Sequence, residues 1–304
     1  MANVIAIVWD FDKTLVDGYM QDPIFEEYGV DATAFWAEVN ALPEKYEREQ
    51  GVRVNPDTVY LNQFIRYAKE GKFPGLNNEK LKEFGKKLKF YKGVPEIFDA
   101  VRKAVEDDPI YQEYDIRVEH YVVSTGMLKI IEGSSVADKM EHIWGCELIE
   151  EEIDGERIIS EVGYTIDNTS KTRALFEINK GVHRPDRGDI NVNSNVPEEL
   201  RRVQFINMVY VADGPSDIPS FSLVNKHGGS TFAIYPRGDM KALRQVEQMR
   251  EEGRIQMFAE ADYSEGTTAH MWLCNKVQEC ARRMRDDERR RLSDGSSSAP
   301  VHLS

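Results

Sequence analysis

A chain of 304 residues that is 41% apolar can hold one large α/β domain with an appendage, and no run approaches the roughly 18 apolar residues of a membrane span. Lys plus Arg number 39 against 53 Asp plus Glu, and the resulting charge of −14 argues against nucleic acid, an anionic membrane or any other polyanion as partner. Cys146, Cys274 and Cys280 are odd in number and lack zinc-type spacing, so reduced thiols in a cytoplasmic protein are expected; with the first strand expected from Val4, no signal peptide is expected.

The apolar run at 4–9, rich in Val and Ile, predicts a strand buried on both faces of a parallel sheet. A charged, strand-poor stretch follows, with helical patterns at 22–28, 31–50, 56–70 and 77–89. It is too long for a βα loop, so residues 16–92 are expected to form a small helical cap domain. Trp36, Tyr46, Tyr60, Phe64 and Tyr67 are its expected core, with one or two of them facing a substrate. Beyond it the pattern alternates: helix 94–106, strand 118–123, helix 170–180, strand 206–212, helix 215–225, strand 230–235 and helix 239–252. Such alternation predicts an α/β fold, a doubly wound parallel sheet built from 1–15 and 93–285. Apolar residues around Asp154-Gly155 predict a β-hairpin over Glu147 to Tyr164, and 181–200 reads as a polar loop. Between Arg282 and Arg291 six arginines stand against three acids, a solvated helix end leading into a disordered tail at 286–304.

Four places carry chemistry. The first strand ends in Asp10 and Asp12, whose alternation aims both to one side. Two like charges at that distance resist joint ionisation, so one keeps a proton unless a cation neutralises them. Ser124-Thr125-Gly126 ends the second strand at a turn into a helix, offering a hydroxyl and backbone N–H groups to a phosphate. Lys171 opens a helix and supplies a fixed positive charge; it stands nearer the expected crevice than Lys180. Asp213-Gly214-Pro215-Ser216-Asp217 follows a strand with two acids, Pro215 suiting the first turn of the next helix. In a doubly wound sheet the carboxyl ends of the strands form the ligand crevice, and all four signals sit there. Together they supply hard oxygen ligands suited to Mg²⁺. The six histidines show no metal spacing and receive no role.

Asp10-Phe11-Asp12-Lys13-Thr14, Ser124, Lys171 and Asp213-Gly214-Pro215-Ser216-Asp217 resemble the four ordered motifs of the haloacid-dehalogenase-like (HAD) hydrolase superfamily. The insertion at 16–92 lies where that family carries a class I helical cap, and phosphoserine phosphatases are the nearest relatives by cap type and first motif. The resemblance implies a Mg²⁺-dependent phosphatase acting on a small phosphorylated metabolite. Asp10 would attack phosphorus and form an aspartyl-phosphate, and Asp12 would act as general acid and then base. Mg²⁺ would be held by the Asp10 carboxylate, the Asp12 main-chain carbonyl and Asp213, with Asp217 reached through water. Ser124, Thr125 and Gly126 would bind the phosphate, with Thr14 grouped beside them and fixing the turn after the nucleophile, while Lys171 would balance charge.

Two departures bear on substrate. Phosphoserine phosphatases usually carry a substrate-binding Glu nine residues after the nucleophile, where this chain has Tyr19; Asp17, Asp22 or Glu26 are candidates to replace it. The Gly-Thr that follows Asp-Lys-Thr in transport ATPases is replaced by Leu15-Val16. Phosphoryl transfer to an acceptor other than water, or a binding protein on the same fold, are the alternative readings. The second predicts loss of a motif acid, and this chain keeps all four.

Overall fold

The computed structural model describes residues 3–153 and 155–296. Seven strands form one sheet: β1 (Val4–Trp9), β2 (Arg117–Met127), β3 (His142–Ile153), β4 (Glu156–Tyr164), β5 (Met208–Ala212), β6 (Ser230–Tyr235) and β7 (Met257–Glu260), in the order β4-β3-β2-β1-β5-β6-β7. Every pair is parallel except β3 with β4. All six residues of β1 are buried, as a run of Val, Ile, Ala and Trp requires when helices cover both faces. The α/β sheet expected from the alternating pattern is therefore present.

Four helices follow β1 and form one unit: α1 (Asp22–Tyr28), α2 (Ala32–Gln50), α3 (Val59–Lys69) and α4 (Asn78–Gly85). Their shared core is aromatic, with Phe25, Phe35, Phe64, Tyr67 and Phe73 in mutual ring contact at centroid distances of 4.9–6.4 Å. The chain enters and leaves this unit through a paired stem: Asp17 donates its N–H to the Lys89 carbonyl and Tyr91 to that of Leu15, both at 2.9 Å. Then come α5 (Glu96–Glu106), the single turn α6 (Pro109–Gln112), α7 (Leu128–Gly133), α8 (Lys171–Lys180), α9 (Ile218–Lys226), α10 (Met240–Glu251) and α11 (Thr268–Ser296). The α5 helix packs against α11 and β2, and α8 against α9 and β2.

Several expectations need adjusting. The predicted hairpin is the outer half of a longer unit: β3 starts at His142, pairs in parallel with β2, and then turns outward to pair with β4. Asp154 of the expected turn lies outside the described residues. The polar loop at 181–200 holds two short 3₁₀ turns, Pro185–Arg187 and Glu198–Leu200. The helix expected from Pro215 is a 3₁₀ turn, Pro215–Asp217, and α9 begins at Ile218. The tail expected to be disordered from 286 is helical to Ser296, where pairs such as Arg290–Asp287 and Arg291–Glu288 sit one turn apart; residues 297–304 lie outside the described residues. Among the described residues no helix is long and apolar enough to cross a membrane.

His120 shows how a histidine serves a core. It is fully buried; Trp9 Nε1–H donates to its Nδ1 at 3.2 Å and its Nε2 faces the Phe98 carbonyl at 3.0 Å. Both contacts suit the neutral Nε2–H tautomer, and burial pushes the imidazole down to about 3.

Candidate active site

The site grows from the middle of the sheet. Asp10 follows β1 directly and donates its N–H to the Val211 carbonyl of β5 at 2.9 Å, so the chain end that carries it is stitched to the neighbouring strand. Asp213 follows β5 by one residue. Carboxylate oxygens of Asp10, Asp213 and Asp217 lie within 4.8 Å of one another.

Lys171, the first residue of α8, reaches into this group from across the sheet. Its Nζ donates to Asp10 Oδ1 and to Asp217 Oδ1, both at 2.7 Å, and the lysine is almost completely buried. An ammonium enclosed this way is tolerated only with partners in place. Burial alone would lower its pKa, but Asp10 and Asp217 raise it well above the usual lysine range, so it stays charged. Asp10 is raised by burial and by Asp217, against the opposing pull of Lys171 and Thr14. Among the described residues Asp213 has no such cation in contact; burial and then the charges of Asp10 and Asp217 push it up to about 7. Three acids served by one lysine form a site short of positive charge, and closely spaced hard oxygens are the donors a divalent ion such as Mg²⁺ takes.

Asp12 points elsewhere. Its Oδ1 accepts from the Met20 N–H at 2.8 Å, and its carboxyl does not join the three-acid group. Burial, and then the charge on Asp10, raise it well above the carboxylate range. The two acids of the first motif therefore sit in different settings, one paired with an ammonium and one pushed toward its protonated form.

Thr14 corrects an expectation. It is fully buried, its Oγ1 donates to Asp10 Oδ2 at 2.9 Å, and its carbonyl accepts from Tyr263 OH at 2.7 Å. It orients the Asp10 carboxylate and has no surface to offer a phosphate. Ser124 Oγ accepts from the Gly126 N–H at 2.9 Å, which leaves its own O–H free to donate. The Thr125 carbonyl accepts from Tyr60 OH of α3 at 2.8 Å. A β-carbon added at Gly126 would lie 2.1 Å from the Met20 methyl and would displace the Met20 side chain, whose sulfur accepts from the Met127 N–H at 3.2 Å. Asp217 is fully engaged, with Tyr210 OH on Oδ1 at 2.6 Å and Ser216 Oγ on Oδ2 at 2.9 Å.

Lys13 has φ +55°, in the left-handed region. That region costs a residue with a β-carbon roughly 1–2 kcal/mol. Its Nζ sits 4.3 Å from the Tyr19 ring centroid, a contact that at an exposed ring returns about 0.5–1 kcal/mol. Burial would lower its pKa, but the Tyr19 hydroxyl and the Asp213 and Asp12 carboxylates raise it.

Tyr210, Tyr263 and Met20 were not singled out from the sequence, and Tyr60 was named only among the aromatic residues of the helical unit. Tyr210 did give a signal: a tyrosine inside an otherwise apolar buried strand must find a partner for its hydroxyl. Tyr263 and Met20 gave none, because their partners lie on elements distant in sequence.

No family model matches the sequence. Among solved structures, a HAD family hydrolase from Salmonella enterica serovar Typhi superposes with a TM-score of 0.52 at 13% identity, covering 90% of this chain and 71% of that one. A phosphoserine phosphatase in its apo form gives a TM-score of 0.49 at 16% identity, over 86% of this chain and 96% of the other. The fold is that of the HAD hydrolases. An uncharacterized protein from Borreliella burgdorferi is 35% identical over 289 residues, spanning 90% of this chain and 97% of its own length, and this chain belongs to the same family.

Proposed function

We propose that the protein is a Mg²⁺-dependent phosphomonoester hydrolase that passes the phosphoryl group through Asp10. The observation that carries this reading is Asp10 itself: a buried carboxylate at the centre of the sheet, one oxygen held by Lys171 and the other by Thr14, beside Asp213 and Asp217. A carboxylate aimed by two donors is fit to attack phosphorus. Asp12, two residues on, with its carboxyl pushed toward the protonated form by burial, is suited to protonate the leaving oxygen and afterwards to take a proton from water. Ser124 Oγ–H and the main-chain amide at Thr125 are suited to hold the phosphoryl oxygens, the Gly126 N–H being the donor that fixes Ser124 Oγ, and Lys171 offsets the charge that accumulates at Asp10.

Asp10, Asp213 and the Asp12 main-chain carbonyl would hold Mg²⁺. Asp217 stands behind them, its oxygens committed to Lys171, Tyr210 and Ser216. When bound, the metal supplies the positive charge that lets an anionic nucleophile approach an anionic ester. The reading assigns residues 16–92 as a cap over the crevice, which favours a small ester over a macromolecule.

Hydrolysis of an aryl phosphate tests the proposal. The protein should turn it over with Mg²⁺ and lose turnover with EDTA, and a folded Asp10→Asn protein should be inactive. Equal rates with and without metal would contradict the reading.

A further inference from the structure

Lys13 occupies a position that suits glycine. It and Asp115 are the two non-glycine residues with positive φ among the described residues, and the ring contact with Tyr19 returns no more than the backbone conformation costs. Stability alone therefore gives no reason for lysine here. Among the described residues no carboxylate lies within ion-pair distance of its ammonium. A half-buried cation with three N–H donors thus has the Tyr19 side chain as its near partner, with the Asp213 and Asp12 carboxylates farther off.

Its place gives this vacancy a direction. Lys13 directly follows Asp12, the acid assigned to the leaving oxygen, and its N–H closes the loop onto the Gly18 carbonyl at 3.0 Å. Tyr19, at the end of that loop, is 41% exposed and so marks the solvent side, whereas Asp10 is 6% exposed. A leaving group that takes its proton from Asp12 and extends toward solvent would pass the Tyr19 ring and the Lys13 ammonium held over it.

We propose that Lys13 determines specificity by binding a second anionic group, a carboxylate or a further phosphate, on the leaving group of the ester. The inference rests on the phosphatase reading and deepens it: the substrate class is a small phosphate monoester with an anionic tail. Three three-carbon esters test it with Mg²⁺: propyl phosphate, 3-(phosphonooxy)propanoate and propane-1,3-diyl bisphosphate. The wild type should prefer one of the two anionic-tailed esters over propyl phosphate by roughly tenfold to a hundredfold in kcat/KM, the worth of one hydrogen bond to a charged group. Which of the two is preferred identifies the tail. Lys13→Gln and Lys13→Gly should both abolish the preference, and Lys13→Gly, which relieves the left-handed backbone, guards against misfolding as the cause. A wild type without preference overturns the proposal. So does a uniform loss on all three esters with the ratio intact, which would make Lys13 a general charge balance. Calorimetric binding of the same esters to Asp10→Asn, with and without Lys13→Gln, reads the same ratio without turnover. A failure of catalysis is thereby separated from a failure of this assignment.

Discussion

Replacing Lys171 by methionine would leave Asp10 and Asp217 facing each other in a buried space with no ammonium between them. Breaking a buried pair from one side usually costs about 3–5 kcal/mol. Lys171→Met should show a loss of that order in urea denaturation of the metal-free protein, with Mg²⁺ recovering part of it. A loss of the size typical of a surface pair, under about 1 kcal/mol, would mean that the ammonium is not held as described. Proton linkage gives a second expectation. Asp213 is raised to about 7 in the folded chain, against 3.8 for the ordinary group. Between those values the folded protein binds the extra proton and the unfolded chain does not, so stability falls as pH rises. The metal-free protein should therefore melt at a higher temperature at pH 5 than at pH 7. Saturating Mg²⁺ should raise the pH 7 value and flatten the dependence; a metal-free melting temperature that climbs from pH 5 to pH 7 would count against a deprived three-acid site. At this scale the sequence was informative where a carboxylate interrupts an apolar run, as at Asp10 and Asp213. It was silent where geometry assigns the partner. Thr14 looks like a phosphate contact until its hydroxyl is seen on Asp10, and Met20 gives no hint that its amide holds Asp12.

The element pair α4 and α7 joins the helical unit to the sheet domain through glycine. A β-carbon on Gly85 would lie 2.1 Å from the Ile130 carbonyl oxygen, and one on Gly133 would lie 2.0 Å from that of Lys82. Both obstacles are backbone, which cannot swing aside. Gly133→Ala should destabilise the protein by about 1–3 kcal/mol, as overpacking does, measurable by chemical denaturation. A neutral effect would mean that the two helices are not packed this closely in solution. Elements were most legible where period and length agreed, as for β1, whose six apolar residues match the run read from the sequence, and for α1, found at the expected residues. The short β7 was missed because its four residues end in an exposed glutamate and two of the others are only half-buried. The parallel half of β3 was missed because His142 and Trp144 interrupt any run of aliphatic residues.

Across the whole molecule, the helical unit touches the sheet domain at several separate places besides its stem. Tyr60 reaches the Thr125 carbonyl, the Leu76 carbonyl accepts from the Ile159 N–H at 2.9 Å, and Asn78 Nδ2 donates to the Leu148 carbonyl at 3.0 Å. Lys69 pairs with Glu151 across the same boundary at 3.3 Å. The long strand-poor insertion was readable from the sequence. Its attachment to the outer hairpin was not, because the partners lie on elements distant in sequence. The account as a whole depends on Asp10 being the atom donor that receives phosphorus. Acid quenching during turnover of an aryl phosphate in Mg²⁺, followed by peptide mass spectrometry, measures this directly. The account predicts one phosphoryl group on Asp10 in the wild-type protein and none in Asp10→Asn. Turnover with no phosphorylated peptide, or with the label on a different residue, would contradict it.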